Sequence, residues 1–211
     1  MTSGKAIRTR QRKPPEERRR EILEAVRTIA VKSGIESVRA RDVAQTVGIA
    51  PGLIHYYFGS VEELLAEAFE SWAEEALDVL HQTADQPPSV KIAMLGQNLS
   101  RDHRFWHEAL GAATRHKALR ERARKVTADY IAWVRGVIEE GVDDGSFSCA
   151  DPTAAAWRIV LLLDGLVAMV FALRSLDRDD ALDLLAGAIE RELGLENDAL
   201  GSGQPSQAVA R

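Results

Sequence analysis

The sequence predicts an all-α fold in which a small three-helix head sits on a larger helical body. Three observations predict it. Apolar residues recur at three- and four-residue spacing through most of the chain, and no stretch shows strand-like alternation. Glycine and proline punctuate that pattern where helices should stop and start: Pro14-Pro15, Gly34, Gly48, Pro51, Gly59, Pro87-Pro88, Gly145, Pro152 and Gly194. Charge is also divided. Residues 1–60 carry 12 Lys/Arg against 6 Asp/Glu, a net +6, whereas the rest carries 15 against 26, a net −11. A basic head on an acidic body points to a head that meets a polyanion.

Taken in order, residues 1–14 hold Lys5, Arg8, Arg10, Arg12 and Lys13, no acid and little apolar surface. Such a segment is expected to be a disordered basic arm. Helix 1 is expected from Glu16 to Ser33, with Ile22, Ala25, Val26, Ile29 and Ala30 on one face and Gly34 as its stop. Two short helices follow: Arg41 to Val47, ended by Gly48, and one opened by Pro51 and running to Tyr57. Ser60, with Glu63 three residues on, is a capping box that opens helix 4, which runs to about Thr83. Asp85-Gln86-Pro87-Pro88 reads as a linker. Ser89 is expected to cap a short helix to Leu99, followed by helices over 101–114 and 117–142. Asp151-Pro152, an N-cap followed by proline, opens a strongly apolar helix to Leu173, and Asp177 opens the last, ending near Gly194. The expected organisation is arm 1–14, head 15–60, body 61–195 and disordered tail 196–211.

Composition narrows the function. No apolar h-region follows the basic N-terminus, so no signal peptide is expected. The longest apolar run, Ile159 to Leu173, is interrupted by Asp164-Gly165 and is shorter than the ~18–20 residues of a membrane span, so a buried core helix is expected. The single cysteine, Cys149, rules out an internal disulfide and a Cys-based zinc site, and suits a cytoplasmic protein. No nucleophile–base set, phosphate loop or catalytic carboxylate pair is visible, so no enzyme and no cofactor are expected. His103 and His107 share one helix face, near His116; the readings are a metal site or solvated histidines, and the second is preferred.

Residues 40–59 carry the chemistry. Ala44 is small enough for close helix approach, Gly48 supplies the positive φ of a tight turn, and Ile49 buries beneath it. This is the layout of a helix-turn-helix, whose second helix enters the major groove. An ordinary helical hairpin would share those features. The stretch Gly48-Ile49-Ala50-Pro51-Gly52-Leu53-Ile54-His55-Tyr56-Tyr57-Phe58-Gly59-Ser60, followed by Glu62-Glu63-Leu64-Leu65, is more specific. With Gly34-Ile35-Glu36 and Arg41-Asp42-Val43-Ala44 upstream, it resembles the head of TetR-family transcriptional regulators. Arg39-Ala40 stand where the family often has Thr or Ser, His55 where it often has Tyr, and Val61 where it has Lys. Leu53-Ile54, together with Trp106-His107-Glu108-Ala109 and Asp164-Gly165-Leu166, resembles the BetI-like branch.

The resemblance implies a TetR-type fold of about nine helices and a homodimer. It implies a repressor that binds double-stranded palindromic operator DNA and is released by a small-molecule effector. Activation, or sequence-tolerant architectural binding, is the alternative. It places Arg39, Arg41, Pro51, Gly52, Leu53, His55, Tyr56 and Tyr57 toward DNA; Tyr57 is equally a candidate for the core. The arm either enters the minor groove or remains a solvated tail. The last two helices are expected to form the dimer interface through Leu161, Leu162, Leu166, Val170, Leu184 and Ile189; burial inside one subunit is the alternative. Phe105, Trp106, Tyr130, Trp133 and Trp157 are candidates for an effector pocket or for plain core. Asp164, a lone acid in an apolar helix, either faces a cationic or amphipathic effector beside aromatic rings or pairs at an interface.

Overall fold

The computed structural model of the chain describes residues 13–98, 103–197 and 199–200. Among them are nine α-helices and no strand. They are α1 (Pro15–Ser33), α2 (Ala40–Val47), α3 (Pro51–Phe58), α4 (Val61–His81), α5 (Pro88–Ala93), α6 (His103–Ala113), α7 (Lys117–Asp143), α8 (Pro152–Val167) and α9 (Arg178–Leu193). Short 3-10 turns fill Ile35–Ser37 and Met94–Asn98. The expected arm up to residue 12 and the expected tail from 201 lie outside the described residues.

Local chemistry fixes most helix ends. Ser60 Oγ accepts from the Glu63 N–H at 3.1 Å, and Asp151 accepts from the Ala154 N–H at 3.0 Å. Asp177 caps α9. Ser89 does not cap as expected: Pro87 takes the N-cap position of α5 with no side-chain bond. Gly48 adopts the left-handed conformation, φ 67° and ψ 45°, that lets α2 stop and α3 turn away from it. The chain also stays on the body past the expected start of the tail. Leu195 and Leu200 pack on the apolar core, and the Leu200 N–H donates to the buried Glu190 carboxylate at 3.0 Å.

Two apolar clusters organise the helices. The first joins the head (Ile22, Val26, Val43, Ile54, Phe58) to α4, α6 and the start of α7 through Leu65, Phe69, Phe105, Ala109 and Leu119. The second lies in the body, between α5, the far half of α7, α8 and α9. Helix α4 packs most extensively on α7 and also rests on α1. Ion pairs flank it on both sides: Arg19–Glu67 and Arg27–Glu75 toward α1, and Arg122–Glu70 and Lys125–Glu70 toward α7.

Helix α8 differs from its sequence reading. It continues as a π-helix over Ala168–Leu173, giving one helix of 22 residues that contains an 18-residue apolar window of mean hydropathy 2.0. By length and composition it is therefore long and apolar enough to cross a membrane, which the broken apolar run had argued against. Ile159, Leu163 and Val167 are buried, but only 33% of the apolar window is. The expectation of a core helix holds for one face.

Gly141 is required by packing. A Cβ there would meet the Phe147 ring at 2.1 Å, and that ring is itself buried in the second cluster. Gly141→Ala is expected to cost about 1–3 kcal/mol through overpacking, read as a lowered thermal midpoint against the native protein.

Candidate functional site

The head presents one exposed helical surface. Helix α3 buries Ile54 and Phe58 and leaves Pro51, Gly52, Leu53, His55 and Tyr56 in solvent. Tyr56 is the most open of the large hydrophobic residues among those described, at 81% exposure. Tyr57 is half-buried against the head core and makes an edge contact with Tyr56, ring centroids 5.6 Å apart. Its reading as partly core is what the packing shows. Arg41 is exposed beside Asp42, with Nε 3.2 Å from its carboxylate. Arg39 stands at the N-cap of α2 without capping it. Its guanidinium donates to the carbonyls of Glu36 and Val38 at 2.8 and 3.0 Å. A guanidinium has five N–H donors, so the rest remain for a phosphate.

The C-terminal end of α3 is tied down from behind. Arg19 of α1 forms a two-pronged ion pair with Glu67 of α4 and donates to the Tyr57 carbonyl at 2.9 Å. Its guanidinium carbon also lies 4.5 Å from the centroid of the Phe58 ring.

A cavity of about 50 Å³ lies in the body between α4, α6, α7 and α8, lined in part by Trp72, Leu77, Leu80, Trp106, Tyr130 and Asp164. Of the residues expected at a pocket, the structure brings Trp106, Tyr130 and Asp164 together there. Phe105 is instead fully buried in the cluster that joins head and body, 6.2 Å from Phe69. Trp133 packs on the second cluster and does not line the cavity. Trp157 is 46% exposed, because it occupies a face of α8 that none of the described residues covers. Helix α4 was missed: Trp72, Ala76 and Leu80 recur every fourth residue and form a whole wall. That spacing was visible, but a core face gives the same pattern.

Burial pushes the Asp164 carboxyl up to about 6. The Trp106 indole N–H acts on it in the opposite sense, but makes no hydrogen bond of normal length and angle. A larger open groove, about 780 Å³, runs beside α1 and the end of α2. Its charges largely satisfy one another through Lys13–Glu17, Lys13–Glu21 and Arg18–Glu21, so the aromatic cavity is the better candidate for a ligand site.

Helix α6 connects the cavity to the head. Two residues beyond Trp106, the Glu108 carboxylate accepts from the Ile35 N–H at 3.1 Å, in the 3-10 turn that leads into α2. Just past the end of α6, Arg115 donates to Glu36 at 2.6 Å, and His116 lies 3.4 Å from the same carboxylate. The Arg115 guanidinium, and then His116, hold the Glu36 carboxyl below its ordinary range. His116 is thus engaged with the head. Burial lowers the His107 pKa, and no cluster of three metal-ligating residues occurs among the described residues.

The residues expected at a dimer interface divide. Leu161 and Leu184 are exposed, at 60% and 52%, and Leu162 and Val170 are half-buried. Leu166 and Ile189 are buried inside the subunit, where they close the second cluster, and are not available to a partner.

Comparison with known proteins places this geometry. Residues 22–68 match the family model described as bacterial regulatory proteins, tetR family, and residues 92–194 match that of the BetI-type transcriptional repressor, C-terminal. YfiR of Bacillus subtilis, an uncharacterized HTH-type transcriptional regulator, is 26% identical over 162 residues, covering 72% of this chain and 79% of that protein. BetI of Rhizobium meliloti, an HTH-type transcriptional regulator, is 26% identical over 120 residues, 56% of this chain and 59% of its own. A TetR-family regulator from Rhodococcus sp. superposes with a TM-score of 0.76 at 25% identity, covering 84% of this chain and 99% of that one. A transcriptional regulator from Saccharomonospora viridis, solved in complex with choline, has the same fold at 23% identity, a TM-score of 0.76, and coverage of 84% and 98%. The chain belongs to the TetR family of DNA-binding transcription regulators and carries a BetI-type body.

Proposed function

We propose that the protein is a homodimeric repressor that binds a palindromic operator through α3 and is released when an organic cation enters the body cavity. The observation that carries this reading is the double duty of α6. Trp106 on that helix lines the cavity, and Glu108, half a turn away, holds the backbone that feeds α2. At about 50 Å³ the cavity is far below the ~300 Å³ at which ligand pockets begin. An effector must therefore part α4, α6, α7 and α8, and α4 and α6 both bear on the head. Binding energy that opens the cavity is energy that shifts the head.

Two recognition helices related by a twofold axis read enough base pairs for specificity. The uncovered apolar face of α8 and α9, with Trp157, Leu161, Leu173 and Leu184, supports an interface there. The cavity supports a cationic effector. Asp164 is a partly desolvated carboxylate beside Trp72, Trp106 and Tyr130, and aromatic faces with a carboxylate suit an ammonium group. The choline complex of the Saccharomonospora relative makes choline the first compound to test. The acidic body disfavours architectural wrapping, since only the head attracts DNA.

The test is fluorescence anisotropy with the tightest duplex that the native protein selects from a random-sequence pool, beside a scrambled control. Selective binding as a dimer, lost on titration with choline or a related amine, is the expected result; equal binding to both duplexes overturns the reading. Arg41→Ala should weaken binding to both duplexes and lower the salt slope by about one, as a phosphate contact requires. Glu108→Ala should leave cation affinity intact but shrink the effector's effect on operator affinity from the family-scale ~5–150-fold toward unity.

Asp164 gives a pH signature. Its carboxyl holds a proton more tightly folded than unfolded, so stability attributable to this group is greatest below about 4 and falls as pH rises to about 6. Asp164→Asn should remove that slope, raising stability of the ligand-free protein at pH 7 by about 2 kcal/mol. Cation affinity of the native protein should climb with pH up to about 6 and then level off. Calorimetry on the two proteins across that range checks both; parallel profiles would remove Asp164 from the site.

A further inference from the structure

We propose that Arg19 is a positioning residue for operator recognition: it anchors the last turn of α3 without itself touching DNA. The inference rests on α3 being the recognition helix. That helix has only eight residues, below the length at which a helix persists alone in water. Its hold on the protein is therefore tertiary, through the buried side chains of Ile54 and Phe58 and through its C-terminal end. Carbonyls in a last turn lack partners within the helix. The His55 carbonyl is satisfied by the Gly59 N–H at 2.8 Å and the Phe58 carbonyl by the Ser60 N–H at 2.7 Å. The Tyr57 carbonyl between them is satisfied by the Arg19 guanidinium at 2.9 Å.

Three surfaces meet on that one guanidinium. Its Nε and one terminal nitrogen face the Glu67 carboxylate of α4, its other terminal nitrogen faces the end of α3, and its plane sits by the Phe58 ring. The charge also opposes the negative end of the α3 dipole. Arg19 therefore ties α1, α3 and α4 at a single point. The turn it secures carries His55, Tyr56 and Tyr57, the side chains that face or flank the exposed surface. Lysine has no planar fork and cannot make these contacts together. Arg19 is half-buried and committed to these three partners. It thus acts on recognition through the backbone of α3.

The test uses Arg19→Lys and Glu67→Gln in the full-length protein. Both are mild enough to keep the fold, which thermal melting checks. Anisotropy is read on the selected duplex and on the scrambled one over a range of salt. Arg19→Lys should lower affinity for the selected duplex roughly ten-fold, the scale of one charge-assisted hydrogen bond. Affinity for the scrambled duplex and both salt slopes should stay unchanged. Glu67→Gln, which loosens the seat of the same guanidinium, should move the ratio in the same direction by less. An equal loss on both duplexes with a slope reduced by about one would make Arg19 a phosphate contact and overturn the proposal. An unchanged ratio in both variants would overturn it as well. Failure of the recognition-helix reading would look different, because the native protein itself would then select no duplex.

Discussion

Phe69 and Phe105 are fully buried, 6.2 Å apart, and around them the head becomes continuous with the body. Ile22, Val26, Ile54 and Phe58 of the head belong to the same apolar cluster as Leu65 of α4, Ala109 of α6 and Leu119 of α7. A head of this size buries too little surface to stand alone. Its stability is borrowed from α4 and α6, so its orientation is set by them. Close-packed interfaces of this kind shift between discrete arrangements and do not deform smoothly. On the proposed mechanism, a displacement of α4 or α6 would be carried to the head through this packing.

The aromatic cluster continues into the cavity wall. Trp72 lies 5.8 Å from Phe105 and 6.4 Å from Trp106, centroid to centroid, so two rings of the head-to-body cluster, Trp72 and Trp106, also line the body cavity. Asp164 closes the far side. Keeping a carboxylate there costs the ligand-free protein stability, because burial without an ion pair penalises the charge. A cation would relieve that cost while its bulk opened the walls. Favourable charge pairing and unfavourable packing thus coincide in one site, which is what a ligand needs in order to prefer a different arrangement of helices.

Legibility from sequence followed the range of the interactions. The ends of α1 at Gly34, α2 at Gly48, α4 at Ser60 and α8 at Asp151 were readable because each is set by residues within one turn. Ser89 misled because Pro87-Pro88 offered a competing start two residues earlier. Helix α8 is apolar on nearly every side, so periodicity could not separate its inner face from its outer one. Leu166 proved internal, while Trp157 and Leu161 face outward. Ile189 on α9 was placed at an interface because the resemblance assigns the last two helices to it, and it packs inside the subunit. The contacts that join head to body were not legible at all. Glu108 reaches Ile35 across 73 positions, Arg115 reaches Glu36 across 79, and Arg19 reaches Glu67 across 48. Each of these side chains reads as ordinary surface charge until the helices are in place.

If filling the cavity moves the heads, the distance between the two heads of the proposed dimer must change, and pulsed electron spin resonance measures that distance. Gln45 is exposed on α2, so a single label at Gln45→Cys, with Cys149→Ser removing the native thiol, reports one distance per dimer. The account predicts one distance distribution in the free protein, kept on operator DNA, and a distinct one when the cationic effector saturates the body. An effector that releases DNA while leaving the inter-head distance unchanged would contradict it.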